Sequence, residues 1–175
     1  WDTTGYEFLA GDAPPTVNPS LWRQAKLNDL HGLFEVTSGV YQVRGLDLSN
    51  MTIVEGETGV LVIDPLISAE TAAAALALYR EHRGERPVKS LLYTHSHVDH
   101  FGGVAGVLPD EASQRGVRIV APLGFVEEAT QENVLAGVAM GRRASFMYGM
   151  PLARSPRGHV DTGLGKAPAR GTIDI

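Results

Sequence analysis

The stretch Leu91-Leu92-Tyr93-Thr94-His95-Ser96-His97-Val98-Asp99-His100-Phe101-Gly102-Gly103 lies near the middle of the chain. Its apolar first residues give way abruptly to polar ones, which is typical of a buried strand that opens into a loop. In α/β proteins, chemistry concentrates where such strands end. The stretch therefore predicts an α/β (α+β) fold with the functional site on this loop.

The polar residues of this loop are of the kinds that bind metal ions. His95 and His97, two residues apart, can leave an extended segment towards one side and bind one ion. Asp99 and His100 can bind a second ion close by, and Asp99 is also a candidate catalytic residue. Nitrogen and oxygen ligands without thiolate fit Zn²⁺ best, with Fe or Mn as weaker candidates. A lone histidine is usually a packing or surface residue, but four ligand-type side chains at the spacing H-x-H-x-D-H rarely coincide by chance.

This spacing resembles the signature of the metallo-β-lactamase superfamily, and the neighbouring words resemble the alkyl sulfatases in particular. Those words are residues 14–24, 93–103, 132–137, 139–144 and 147–149. The resemblance covers nearly the whole chain. It implies an αβ/βα sandwich with a binuclear site between two sheets, of which this chain supplies roughly the first half.

The resemblance also implies an activity and a set of site residues. A complete site holds two Zn²⁺ ions and hydrolyses alkyl sulfate esters, detergents included, to an alcohol and inorganic sulfate. Asp64 matches the aspartate that supports the metal loop from behind, although a turn-forming aspartate before Pro65 is the alternative. Asn133, Arg143 and Tyr148 are candidate substrate-binding residues. The full-length proteins of this family are expected to be homodimers, and they are often exported, so a periplasmic or secreted location is suspected and a cytoplasmic one stays open.

Two other sets of residues compete as metal ligands. By residue type alone His159 would be the next ligand. The resemblance argues against it, because the family takes two glutamates and a histidine from beyond residue 175, and His159 is expected to be solvent-exposed in its loop. Glu127, Glu128 and Glu132 are expected to be carboxylates on a helix surface.

Composition narrows the classes of function. A formal net charge of −5 gives no basic surface for nucleic acid. The absence of cysteine excludes disulfides, and no apolar run is long enough for a transmembrane helix. Because the chain starts at Trp1 and stops in what reads as the beginning of a strand, it is expected to be a piece of a longer protein.

Periodicity and turn signals give the order of elements. Residues 1–32 are predicted to form an N-terminal arm with a helix at 19–27, and residues 33–175 the first part of the hydrolase domain. Two hairpins follow at 33–44 and 51–63, and then a strand–helix–strand unit whose helix spans 69–83 and whose second strand spans 88–94. Another strand is predicted at 117–121, a long helical stretch at 124–148 with a break near Gly137 or Gly141, and a loop at 151–171.

Two alternatives to the alkyl sulfatase hypothesis stay open. One is a different superfamily hydrolase, for thioesters, lactams or lactones, because the same histidine motif is shared among them. The other is an inactive fragment that carries half a metal site and needs a partner chain.

Overall fold

The computed structural model describes residues 4–110, 114–166 and 171–173. The arm contains a 3₁₀ helix (Thr4–Ala10) and helix α1 (Pro19–Leu27), whose bounds are those predicted. Asn18 begins α1, because its side-chain oxygen accepts a hydrogen bond from the Ser20 amide. Residues 1–3 of the predicted arm and residues 167–170 of the predicted loop lie outside the described residues.

Six strands form one mixed sheet in sequence order. They are β1 (Gly32–Thr37), β2 (Val40–Arg44), β3 (Met51–Glu55), β4 (Val60–Ile63), β5 (Val88–Leu92) and β6 (Arg118–Val120). The first four strands pair antiparallel, which confirms both hairpins. β4 pairs parallel with β5, and β5 parallel with β6. The sheet is thus a meander that continues into a parallel half, and β4 and β5 end at the same edge.

Helix α2 (Ala69–Arg83) connects β4 to β5 and covers the sheet, so the predicted strand–helix–strand unit is confirmed. Ser68 begins it by accepting from the Thr71 amide, and Gly84 ends it. Its residues Ala72, Ala75, Leu76 and Tyr79 are buried against the strands. Their burial, with that of Met51, Ile53, Val62 and Leu91 from the sheet, supplies the main apolar core.

The arm has a smaller core of its own, which includes one residue of the loop that follows the last helix. Its buried residues are Tyr6, Leu9, Trp22, Ala25 and Val160. Lys166, also from that loop, donates from Nζ to the Ala25 carbonyl at 2.6 Å, so it satisfies an acceptor near the end of α1. The loop at 151–166 therefore fixes the arm in place.

The expectation that His159 is solvent-exposed is wrong. Only 5% of the residue is accessible, and its Nδ1 and Nε2 lie 2.5 and 2.7 Å from the carbonyl oxygens of Tyr148 and Lys166. The ring also contacts Tyr6 edge-on. The ring therefore lies between two backbone carbonyls that are distant in sequence, and this packing buries it inside the loop.

The predicted long helical stretch is interrupted. Residues 94–103, which carry the three histidines after β5, are called the histidine loop. Helix α3 (Val104–Val107) follows this loop, and helix α4 (Phe125–Thr130) follows β6. α4 runs into a π-helical turn (Gln131–Leu135), and helix α5 (Gly137–Tyr148) begins after Ala136. The break near Gly137 is thereby confirmed. In the part of the chain that the structure describes, none of the helices is long and apolar enough to span a membrane.

Candidate metal centre

The site lies at the carboxyl edge of the parallel half of the sheet. Ile63 and Leu92 are paired in register at the ends of β4 and β5. The next residues, Asp64 and the histidine loop, therefore emerge side by side. Register alone brings Asp64 to the loop, although the two are separated in sequence by the whole of α2.

Asp64 adopts a left-handed backbone with φ of 54°, which is uncommon for a residue other than glycine. Its Oδ1 accepts from the Thr94 amide at 2.8 Å, and its Oδ2 from the Thr94 hydroxyl at 2.6 Å and from His100 Nδ1 at 2.8 Å. Burial raises the pKa of the Asp64 carboxyl, but the hydrogen bonds from His100 and Thr94 outweigh it and the pKa is lowered. Asp64 thus remains an anion that holds both ends of the loop, and its role in supporting a metal site stays a prediction.

His100 lies between two carboxylates. Its Nδ1 faces Asp64, and its Nε2 lies 3.3 Å from Asp99 Oδ2. Burial lowers the pKa of His100, but the hydrogen bonds to Asp64 and Asp99 prevail and raise the pKa to about 9. The pKa of Asp99 is lowered, because the hydrogen bond from His100 outweighs its burial.

The rings of His97 and His100 both lie next to the ring of His95. Its ring centroid lies 4.6 Å from that of His97 and 4.1 Å from that of His100. Burial, followed by the neighbouring charges of His100 and His97, lowers the pKa of His95, which favours its neutral form. His95 Nδ1 lies 3.0 Å from Thr94 Oγ1.

The loop is braced from behind by close backbone contacts. A Cβ at Gly102 would lie 2.6 Å from the Ile67 carbonyl oxygen, and one at Gly103 would overlap the Pro65 carbonyl. The glycines are thus required by the close approach of the segment that follows β4. Ser49 adds a further brace, since its hydroxyl donates to the Asp99 carbonyl.

Sequence reasoning missed one residue of the site. Glu132, expected on a helix surface, places Oε1 3.1 Å from His97 Nε2 and is half-buried. Glu127 and Glu128 are exposed, as expected. No periodicity in the sequence distinguishes Glu132 from the other two, because the contact depends on how the helix packs on the loop.

The candidate substrate-binding residues lie on the same helical segment. Asn133 donates from Nδ2 to the Ala129 carbonyl at 2.8 Å, which stabilises the π-helical turn. Arg143 is exposed on α5 and Tyr148 is half-buried at its end. Among the described residues, no hydrogen bond or ion pair joins these three side chains to the histidines, and their substrate role stays a prediction.

The donor chemistry of the loop suits a metal ion, but the side chains are held by one another. Within residues 4–110, 114–166 and 171–173, no three His, Asp or Glu side chains are arranged so that they could hold an ion. His97 is turned to Glu132, and Asp99 to His100. The three rings are nevertheless adjacent, so the nitrogen donors that a metal site needs lie together in this loop.

Comparison with known proteins agrees with the geometry. Residues 44–111 match the model of the metallo-β-lactamase superfamily. An alkyl/aryl-sulfatase of Saccharomyces cerevisiae is 52% identical over all of this chain, and a linear primary-alkylsulfatase of a Pseudomonas species is 56% identical. The chain spans 27% and 26% of the length of these two relatives.

A solved structure gives the same result. The stereoselective inverting sec-alkylsulfatase Pisa1 of a Pseudomonas species is 51% identical and superposes with a TM-score of 0.91, over 98% of this chain and 27% of that one. The predicted metallo-β-lactamase fold, which implies bound metal ions, is confirmed. The chain therefore has the metallo-β-lactamase fold, and its whole length is similar to one part of the alkyl sulfatases, about a quarter of their sequence.

Proposed function

We propose that this chain carries half of a binuclear zinc site that hydrolyses alkyl sulfate esters to an alcohol and inorganic sulfate. His95, His97, Asp99 and His100 are the ligands that the chain supplies, and the remaining ligands come from sequence outside it. The proposal rests on the similarity to alkyl sulfatases and on one observation about the histidines.

That observation is that each histidine has one ring nitrogen close to an oxygen of Thr94, Glu132 or Asp64. Thr94 donates its hydroxyl hydrogen to Asp64, so His95 Nδ1–H must be the donor to Thr94 Oγ1. His95 is then left with an unprotonated Nε2. His97 Nε2 lies 3.1 Å from Glu132, and His100 Nδ1 lies 2.8 Å from Asp64. The second nitrogen of His100 lies 3.3 Å from Asp99, which is itself a candidate ligand. Histidines that bind metals usually have their other nitrogen fixed in this way.

When bound, Zn²⁺ lowers the pKa of a water molecule towards neutrality and neutralises charge on an anionic ester. The side chains of this chain orient the ligands and supply groups that can bind a cation, accept a proton or contact the sulfate. Asp64 keeps His100 oriented and holds Thr94 under His95. Asp99 is a half-buried anion beside the three rings, where it can bind a cation or accept a proton. Arg143 and Asn133 are the candidate partners for sulfate oxygens.

The test is release of inorganic sulfate from sodium dodecyl sulfate by the protein at its native length, with zinc measured by elemental analysis. We expect two zinc ions per site and at least about a 100-fold loss of turnover in His97→Ala. Turnover of a thioester, lactam or lactone with none of the alkyl sulfate would contradict the proposal in favour of another superfamily hydrolase.

The isolated 175-residue chain is a separate case. It is expected to bind zinc weakly and to release no sulfate, because it lacks part of the ligand set. The exposed apolar side chains of α4 and α5, such as Val126 and Phe146, favour this second candidate function, a fragment that needs a partner chain. Full hydrolysis by the isolated chain would exclude it. A homodimer and an exported location stay predictions for the longer protein.

A further inference from the structure

Glu132 lies on the π-helical turn after α4 and contacts the histidine loop from there. Its Oε1 lies 3.1 Å from His97 Nε2, with 26% of the glutamate side chain and 57% of the histidine side chain accessible. At this distance the two atoms are within reach of a hydrogen bond from the histidine N–H to the carboxylate. The other carboxylates on the segment, Glu127 and Glu128, are exposed.

The contact is held by an aromatic cluster that fixes the start of α4. The Phe125 ring lies 5.4 Å from Tyr93 at the end of β5 and 5.1 Å from Phe101 in the histidine loop. Ala129, one turn later, is buried in the main core. Residues at i, i+4 and i+7 share a face of a helix, so Phe125 and Ala129 put Glu132 on the face that meets the loop.

Glu132 also lies on the π-helical turn. Ala136 donates its amide to the Gln131 carbonyl at 2.9 Å, which is the wide spacing of that turn. Such turns are rare inside helices and occur frequently at functional sites. The turn separates the part of the segment that packs on the loop from α5, most of which is exposed.

The chemical effect falls on the two nitrogens of His97. A neutral imidazole carries its hydrogen on one nitrogen and a lone pair on the other. If Nε2 donates to Glu132, the lone pair is on Nδ1, and the ring is fixed beside His95. For His100 in the same loop, Asp64 accepts a hydrogen bond from Nδ1 and so orients that ring.

We propose that Glu132 is a positioning residue, which orients His97 and fixes its hydrogen on Nε2 so that Nδ1 is available to Zn²⁺. The part that concerns zinc rests on the proposed function, whereas the part that concerns the histidine does not. Carboxylates that act through a histidine in this way change metal affinity about 10–100-fold when removed.

The first experiment needs no metal. Long-range ¹H–¹⁵N spectra of the metal-free 175-residue chain, at about pH 8, report which ring nitrogen of His97 carries the hydrogen. We expect the Nε2–H form in the parent chain and a larger Nδ1–H fraction in Glu132→Ala. The Nδ1–H form in the parent would overturn the proposal.

The second experiment measures zinc affinity of the same chain by competition with a chelator. Glu132→Ala is expected to weaken binding about 10–100-fold, and Glu132→Gln less, because the amide oxygen still accepts from His97. Glu128→Ala removes the same charge one turn earlier on an exposed side chain and should leave affinity unchanged. Equal losses for Gln and Ala would overturn the proposal, because they would make Glu132 a direct ligand.

A double variant separates positioning from a general structural effect. In a His97→Ala background, Glu132→Ala should change zinc affinity less than about 2-fold, because the residue it acts through is gone. A full loss in that background would contradict the proposal. If the parent chain binds no zinc, the proposed function fails, and the hydrogen position on His97 still decides the role of Glu132.

Discussion

The sheet with α2 and the helical segment at 125–148 bury their apolar side chains to very different degrees. In the first region Leu91, Tyr79 and Ile53 are fully buried in one core. In the second, Phe146 is 87% exposed and Leu135 77%, and of its residues the main core includes Ala129, with Phe125 packed against it. The chain thus completes one apolar layer and leaves the other uncovered.

Because of this difference, the two parts of the site are held in place by regions that are packed to different degrees. Asp64, Thr94 and His100 are fixed by strands that the chain packs by itself. Glu132 and the candidate substrate-binding residues belong to the segment with the uncovered face. The histidine loop is therefore expected to be stable in this chain. The order of the candidate substrate-binding residues is expected to depend on what covers the exposed apolar face of residues 125–148.

The largest expected effect comes from the substitution Leu→Ala, made once in the sheet and once in the helical segment at 125–148. Leu91→Ala removes a fully buried side chain from β5 and should lower the free energy of unfolding by about 3 kcal/mol. Leu135→Ala, at the end of the π-helical turn, should change it by less than about 0.5 kcal/mol. Urea unfolding followed by circular dichroism measures both, and equal losses would mean that the second region packs as tightly as the first.

Most of the first region could be predicted from the sequence, because its elements are encoded locally. The alternation of β-branched residues around Ser38-Gly39 specified the first hairpin, and Ser68 and Gly84 marked the ends of α2. The position of Asp64 beside the histidines required only that β4 and β5 be adjacent and parallel. These inferences hold because they depend on neighbours in sequence and on one rule of connection.

A second test compares two glycines. Gly103→Ala places a Cβ against the carbonyl oxygens of Pro65 and Ser68, and should cost about 2 kcal/mol of unfolding free energy. Gly141→Ala, inside α5 with open space around it, should stabilise by about 1 kcal/mol, because alanine is the better helix former. Thermal unfolding of both variants gives the sign, and a stabilising Gly103→Ala would refute the close backbone packing behind the histidine loop.

The rest of the site could not be predicted, since it depends on packing between distant segments. His159 was expected to be exposed because its neighbours are loop residues, yet it lies inside the loop with its two ring nitrogens beside backbone carbonyls. Glu132 reaches His97 only because Phe125 is fixed by Tyr93 and Phe101. Residue type and spacing carry no record of such contacts.

The smallest expected effect concerns a charge on the well-packed side. Glu55 on β3 accepts from the Tyr79 hydroxyl at 2.8 Å and from Arg83 Nε and a terminal nitrogen at 3.0 and 3.2 Å. The hydrogen bond from Arg83 is the main reason that the pKa of Glu55 is lowered. Because Arg83 is partly exposed and solvent screens the pair, Glu55→Gln should cost only about 1 kcal/mol at pH 7. Glu128→Gln, in the first turn of α4, should cost about 0.3 kcal/mol.

The pH dependence of that difference has a definite sign. A carboxyl whose pKa is lower in the folded chain stabilises it fully above the pKa of the unfolded chain, which is 4.5 for glutamate. The stabilisation is lost as the pH falls below that value and through the folded pKa. The advantage of the parent chain over Glu55→Gln should therefore be constant from about pH 7 to 6 and shrink below about pH 4.5. A difference that grows on acidification, in urea unfolding at matched ionic strength, would mean that Glu55 is already protonated where it contacts Arg83.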